Sequence, residues 1–350
     1  MTDQETAGSF DQMLKSVFQK IIEDRVLSLE QLSDASSDIT KSFIEKVSNT
    51  LQRDLKRRAP AMLADRRRET AGFEKRNLQR WRKAFNLIEL IWEVAAELGD
   101  KFDTELRGKP FARDQAYLLT ALVHIHARSL LVASECICLM KGGFPDGALS
   151  RWRTLHELNV IAAFLLKNSD AALRYIISFE IQALIAARQM AKYAERSKME
   201  PPTEDEIAVM EKRCKSHVDH FGKDIRNDFG WASKVIGKKS PSLLDLEEAV
   251  GLDHWRPRFK WASQHTHGGH RPFGSMLATT EASSPVFAIG QSNSGMVDPL
   301  QMTAISLTHV TCSLLMSRPS IDCAVQSKVL LGLSNDLGKA AMKVEHVKAR

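Results

Sequence analysis

The sequence predicts an all-α protein, a multi-helix bundle with an N-terminal helical arm. Apolar residues recur at helical spacing through most of the 350 residues, which indicates amphipathic helices. The chain has only 3 Tyr and 18 Gly, too few for the aromatic strands and tight turns of a β-sandwich or barrel. An apolar fraction of 43% and a charged fraction of 26% are typical of a globular protein with a sizeable core.

The first 100 residues predict the arm. Two apolar stripes, one within residues 10–22 and one within residues 43–55, indicate two amphipathic helices. The polar run 33–38 between them predicts a linker or cap, and Ala59-Pro60 predicts a break in the helical pattern. We expect this helical hairpin to dock on the body of the protein or on a second copy of the chain.

Positive charge is concentrated near the end of the arm. Residues 53–83 hold 12 Lys and Arg against 4 Asp and Glu, a net charge of +8, which leaves −2 for the rest of the chain. A local basic segment indicates a solvated helix face, a phosphate-contacting surface for nucleic acid, or a membrane-surface contact. The candidate nucleic-acid-binding residues are Arg66, Arg67, Arg68, Arg76, Arg80, Arg82 and Lys83.

Residues 101–350 predict the helical bundle. A helix over 116–140, stopped by Gly142-Gly143, is followed by a tight turn in which Asp146 can cap the next helix, to about Lys167. So short a connection makes the two helices antiparallel neighbours. Further helices are predicted over 169–196, 203–221 and 242–250, from Asp298, and from Pro319 to about Val347, with a surface loop over 278–297.

Cysteine usage and hydropathy predict a cytoplasmic protein without a membrane partner. The five cysteines are an odd number without a CxxC pair, as expected in a reducing compartment. The first nine residues are too polar for a signal peptide. The most apolar run, residues 118–140, carries His124, His126, Arg128 and Glu135, which favours a buried helix over a membrane span.

The helix after the tight turn carries the first group of candidate catalytic residues. Arg151, Arg153, His156 and Glu157 lie among leucines, isoleucines and phenylalanines, where charged groups are costly unless they find partners. Arg153 and Glu157 are four residues apart and therefore share a helix face. This pattern indicates either a structural polar network between helices or a functional site.

A second candidate group follows Trp261. His265, His267 and His270 could bind a transition metal, or could face the arginine-bearing helix as hydrogen-bond partners or proton carriers. Ser263 is a nucleophile candidate without a recognised triad motif around it. We expect no cofactor, and metal binding by the three histidines remains the alternative.

These residues carry a resemblance to two groups of proteins. Arg151 and His156 fit the R-x4-H spacing of HEPN-type ribonucleases, in which the His moves protons and the Arg supports the phosphate, although Trp152 follows the Arg where those proteins prefer a polar residue. The helix over 116–140, the following turn, Arg153 with Glu157, and the later Trp261, Ser263 and His267 (or His265) resemble the DUF5677 family over about residues 110–275. The resemblance to HEPN-type and abortive-infection proteins implies a place in phage defence.

The sequence therefore predicts a defence or toxin-like protein with metal-independent RNase activity. His156, or a His of the 265–270 stretch, would move protons, while Arg151 and Arg153 would hold the phosphate and Glu157 would orient them. Expected partners are RNA and a second copy of the chain or another protein. The alternatives are a non-catalytic interaction protein whose polar network is structural, and a metal-dependent hydrolase that uses the histidine cluster.

Overall fold

The structure is a computed structural model that describes residues 10–24, 29–266, 276–284 and 286–346. Twelve α-helices and several short 3-10 turns account for most of that part of the chain, which contains no strand. The prediction of an all-α fold is therefore confirmed. The chain divides into two compact units, Met1–Gly72 and Phe73–Arg350.

The first unit contains α1, Phe10–Glu23, and most of α2, Leu29–Arg80. The predicted linker over 33–38 is wrong, because these residues lie inside α2, where the Ser36 hydroxyl donates to the Ser33 carbonyl at 2.7 Å. Such hydrogen bonds give polar side chains an acceptor within the helix itself. The predicted break at Pro60 is also wrong, since α2 continues through it.

The second unit is a bundle with one large apolar core. Its helices are α3 (Arg82–Leu106), α4 (Arg113–Lys141), α5 (Pro145–Lys167), α6 (Ala172–Ser197), α7 (Glu204–Phe221), α8 (Ser233–Ile236), α9 (Leu243–Val250), α10 (Arg256–Gln264), α11 (Val297–Met316) and α12 (Ile321–His346). The main core draws on α3, α4, α5, α11 and α12. A smaller cluster joins α6 to α7.

The division between the two compact units falls at Gly72, whereas the sequence predicts an arm over residues 1–100. Trp81, Phe85, Ile88 and Ile91 are at most 2% exposed and lie in the main core. Because one face of α3 is so apolar, this helix packs with the bundle. The indole of Trp81 also donates to the Asn293 carbonyl at 2.8 Å, which holds the predicted surface loop against the bundle.

The turn between α4 and α5 has the predicted antiparallel geometry. Gly143 has φ +84, and a Cβ there would lie 2.4 Å from the Phe73 ring, so the position requires glycine. The capping prediction for Asp146 is wrong, because Phe144 is the N-cap of α5 and no side chain caps it. By contrast, the capping box of Thr203 and Glu206 on α7 is confirmed.

Helix α4 has the length and composition of a membrane-crossing helix, the only one in the described residues that does. Half of its most apolar stretch is buried inside the structure. The core helix of a bundle has the same length and composition as a membrane-crossing helix, because each needs a long apolar surface.

His126 is a buried histidine of α4. Its Nε2 lies 3.1 Å from the Thr311 hydroxyl of α11. A Cβ on Gly99 of α3 would lie 2.5 Å from the imidazole, so glycine permits the close approach of the two helices. Burial lowers the pKa of His126 to about 4, because the charged imidazole would lose its hydration.

We expect His126 to make the fold sensitive to acid. The unfolded chain binds a proton near the ordinary histidine pKa of 6.5, whereas the folded chain binds it near pH 4. Stability is therefore fully present above pH 6.5 and falls as the pH drops towards 4, by an amount on the order of 3 kcal/mol. Urea unfolding of His126→Gln between pH 7 and pH 4 should show a weaker pH dependence than that of the wild type.

The exposed His124 on the same helix provides the matched control. His124→Gln should leave the pH dependence of unfolding as in the wild type. An equal change in both variants would contradict the assignment to His126.

Candidate functional site

A buried ion-pair network ties α5 to α9 and α10. Nε2 of His156 donates to Oε1 of Glu247 at 3.0 Å, and Nη1 of Arg256 donates to Oε2 of the same carboxylate at 3.1 Å. The side chains of His156 and Glu247 are 1% and 0% exposed. Because a carboxylate only accepts, both of its oxygens are used in holding a ring from α5 and a guanidinium from α10.

Two arginines converge on one aromatic ring beside this network. The guanidinium carbon of Arg153 lies 4.7 Å from the centroid of the Phe259 ring, and that of Arg256 lies 5.2 Å from it. The Nε atoms of both arginines are buried and have no hydrogen-bond partner within the described chain. Two cationic groups with unused donors in a half-buried place form a potential anion site.

Glu157 lies four residues after Arg153 on α5, within electrostatic range of its guanidinium. Burial raises the pKa of its carboxyl above the ordinary glutamate range, against the attraction of Arg153, Arg128 and His156. Glu157 makes no hydrogen bond and no ion pair within 4 Å in the described residues, so it shares a helix face with Arg153 without pairing closely with it. A half-buried carboxyl with a raised pKa and free oxygens is suited to proton transfer.

Arg151 lies on a different face of α5 from His156. Its guanidinium forms an ion pair with Glu135 of α4, so ionisable residues of α4 and α5 meet at this point. Five residues of α-helix turn the chain by about 140° beyond a full turn, so His156 points into the core while Arg151 does not. Within one chain, the R-x4-H pair therefore does not converge on one site.

The histidine-rich stretch meets α5 at its first turn. The His265 ring is 3% exposed, and its Nδ1 lies 3.0 Å from Oδ1 of Asp146. Burial opposes ionisation of Asp146, but hydrogen bonds from His265 and from the amides of Ala278 and Leu277 hold the pKa of this carboxyl below its ordinary value. His265 and Asp146 thus fasten the end of α10 to α5, and the Ser263 hydroxyl donates to the Phe259 carbonyl at 2.8 Å.

The proposed metal ligands His267 and His270 lie outside the described residues. Within the described residues, no group of three or more His, Cys, Asp or Glu is placed to hold a metal ion. The metal-site alternative stays a prediction.

The predicted nucleic-acid-binding residues divide into two kinds. Arg80 is largely buried and pairs with Glu281, and it also donates to the Asn293 carbonyl at 2.9 Å, so its guanidinium is engaged within the second unit. The other predicted residues are exposed: Arg66, Arg67, Arg68, Arg76, Arg82 and Lys83. Of these, Arg66 pairs with Glu69 and Arg68 with Asp65 along the helix.

Sequence reasoning did not find Glu247, Arg256 and Phe259, although they complete the site. The available signal was weak. Glu247 follows Leu243, Leu244 and Leu246 in a short apolar helix, where a carboxylate needs a partner. Arg256 and Phe259 lie in a basic and aromatic segment whose fold could not be derived from periodicity, because α10 has only nine residues.

The candidate site lies within a segment of the chain that matches a known family model. The model of the DUF5677 family, a family of unknown function, matches residues 119–284. That range contains α5, α9 and α10, so the resemblance drawn from Arg153, Glu157 and the Trp261 segment is confirmed. No curated protein and no solved structure matches the chain.

We expect Glu247 to be essential for stability. Glu247→Ala would leave His156 and Arg256 without their acceptor and should lower the free energy of unfolding by about 2 kcal/mol or more. Urea unfolding at pH 7 measures this loss.

The neighbouring Glu248 is exposed and provides the control. Glu248→Ala should change stability by no more than about 0.5 kcal/mol. Equal effects of the two substitutions would show that the buried network contributes nothing specific.

Proposed function

We propose that the chain is a metal-independent ribonuclease whose site is formed by Arg153, Glu157 and Arg256. The observation that supports this is the convergence of two guanidinium groups on Phe259, each with an unused buried Nε, beside a carboxyl with a raised pKa. Arginine binds phosphate through a rigid set of donors, and a carboxyl with a raised pKa is an effective general base near neutral pH.

In this proposal Arg153 and Arg256 bind the phosphate and stabilise the charge of its transition state. The 2′ oxygen of the preceding ribose attacks phosphorus, and its proton passes to the Glu157 carboxylate. The bond from phosphorus to the 5′ oxygen breaks, and the leaving oxygen takes a proton from water. The products are a 2′,3′-cyclic phosphate and a 5′-hydroxyl end, and the proton on Glu157 neutralises the hydroxide left by the water, which restores the carboxylate.

In this mechanism His156 is a positioning residue. Because its ring is sealed in the core and bonded to Glu247, it fixes the carboxylate that holds Arg256. The exposed arginines Arg66, Arg67 and Arg68 would add affinity for RNA that weakens with salt. We further propose a cytoplasmic location and a defence or toxin-like role for this activity.

Cleavage of a fluorogenic single-stranded RNA in the presence of chelator tests the proposal. Glu157→Gln should lower the rate by about 100-fold or more, because the base is lost. The rate of the wild type should rise with pH through the raised pKa of Glu157, since only the ionised carboxylate accepts a proton. Arg153→Lys and Arg256→Lys should also lose activity, because a lysine cannot reproduce the planar donor set.

Arg151→Gln is the matched control on the same helix. Its ion pair with Glu135 is about one-third exposed, so its loss should cost little stability, and activity should remain. Loss of activity in Arg151→Gln with retention in Glu157→Gln would move the site to the R-x4-H pair. Intact RNA with every preparation would overturn the ribonuclease proposal and favour the non-catalytic alternative, whereas cleavage abolished by chelator would favour the metal-dependent one.

A further inference from the structure

Among its described residues, the first unit has no buried core. None of its described side chains is buried, although α1 and α2 carry large apolar residues. On α2, Ile44 and Leu55 are each 59% exposed, Met62 is 57% exposed and Leu51 is 42% exposed. So much apolar surface on one helix indicates a contact with another molecule or segment.

These four residues form a single stripe on α2. They are separated by seven, four and seven positions, and such steps return to nearly the same face of a helix with 3.6 residues per turn. We call Ile44, Leu51, Leu55 and Met62 the apolar stripe. It is about 27 Å long at 1.5 Å per residue, which is long enough for a two-helix contact.

The spacing of the apolar stripe, seven, four and seven positions, is the same from either end. Its centre falls at residue 53, so an antiparallel second α2 would place Ile44 opposite Met62 and Leu51 opposite Leu55. A two-fold axis requires this symmetric spacing. If Ile44 of one copy contacts Met62 of the other, then Met62 of the first must contact Ile44 of the second. A partner of unrelated sequence would not require a symmetric spacing.

The charges beside the stripe favour the same arrangement. Residues 34–52 hold 3 acidic and 2 basic residues, a net charge of −1, whereas residues 54–72 hold 3 acidic and 6 basic residues, a net charge of +3. In an antiparallel pair, the segment of net charge −1 lies beside the segment of net charge +3 at both ends. A parallel pair in register would set +3 against +3, which is unfavourable at low salt.

From the exposed stripe, its symmetric spacing and this charge division, we propose that α2 pairs antiparallel with α2 of a second copy of the chain. The interface is isologous and is centred on residue 53. It is independent of the proposed ribonuclease site, which lies on α5 and α10.

The association state of the full chain in dilute buffer tests the pairing. Sedimentation equilibrium should show a dimer at about 10 µM, and the double variant Leu51→Glu, Leu55→Glu should raise the dissociation constant by roughly 100-fold or more. Leu63→Glu is the matched control, because Leu63 is 48% exposed but lies about 100° from the stripe. A monomeric wild-type chain overturns the proposal. So does a dimer that the double variant and Leu63→Glu weaken to the same extent.

Cross-linking distinguishes the two directions of pairing. In a Cys138→Ser background, which removes the exposed native thiol, a mixture of Ile44→Cys and Met62→Cys chains should cross-link to each other. Each variant alone should cross-link weakly, because its own cysteines lie at opposite ends of the pair. Strong self-cross-linking of Ile44→Cys would show a parallel pair, or a different partner surface, and would overturn the antiparallel arrangement.

Discussion

The sharing of one buried carboxylate by two basic side chains determines how the candidate site is built. Glu247 has no contact with water, and each of its oxygens is held by a group from a different helix, His156 of α5 and Arg256 of α10. An isolated charge at this depth would be costly, so both partners stabilise α9 and α10 in this position. The network therefore fixes where α10 crosses α5.

That crossing creates the site that faces solvent. Once Arg256 is held by Glu247, Phe259 one turn later lies next to Arg153 of α5, and the two guanidiniums share one ring. A second polar contact, between His265 and Asp146, holds the other end of α10 against α5. The half-buried Glu157 then has cationic neighbours, but no group in the described part of the chain donates a hydrogen bond to it, which leaves its oxygens available to a ligand.

The sequence predicts the long helices well because their apolar periodicity extends over many turns. The hairpin of α4 and α5 follows from its glycines and its short turn, and the meeting of α5 with the segment after Trp261 follows from the need of buried charges for partners. Periodicity fails at residues 33–38 and at Pro60, where a long helix overrides local turn and break signals. It also cannot assign Glu247 to His156, because 91 positions separate them and only tertiary packing joins them.

The most direct test of this account is a double-mutant cycle between His156 and Glu247. The free energy of unfolding is measured for the wild type, His156→Phe, Glu247→Gln and the double variant. If the buried hydrogen bond holds Glu247 of α9, and through it Arg256 of α10, against α5, the two substitutions are coupled, with an interaction energy of about 1 kcal/mol or more. Effects that add without coupling would contradict the account, because the two side chains would then contribute to the fold independently of each other.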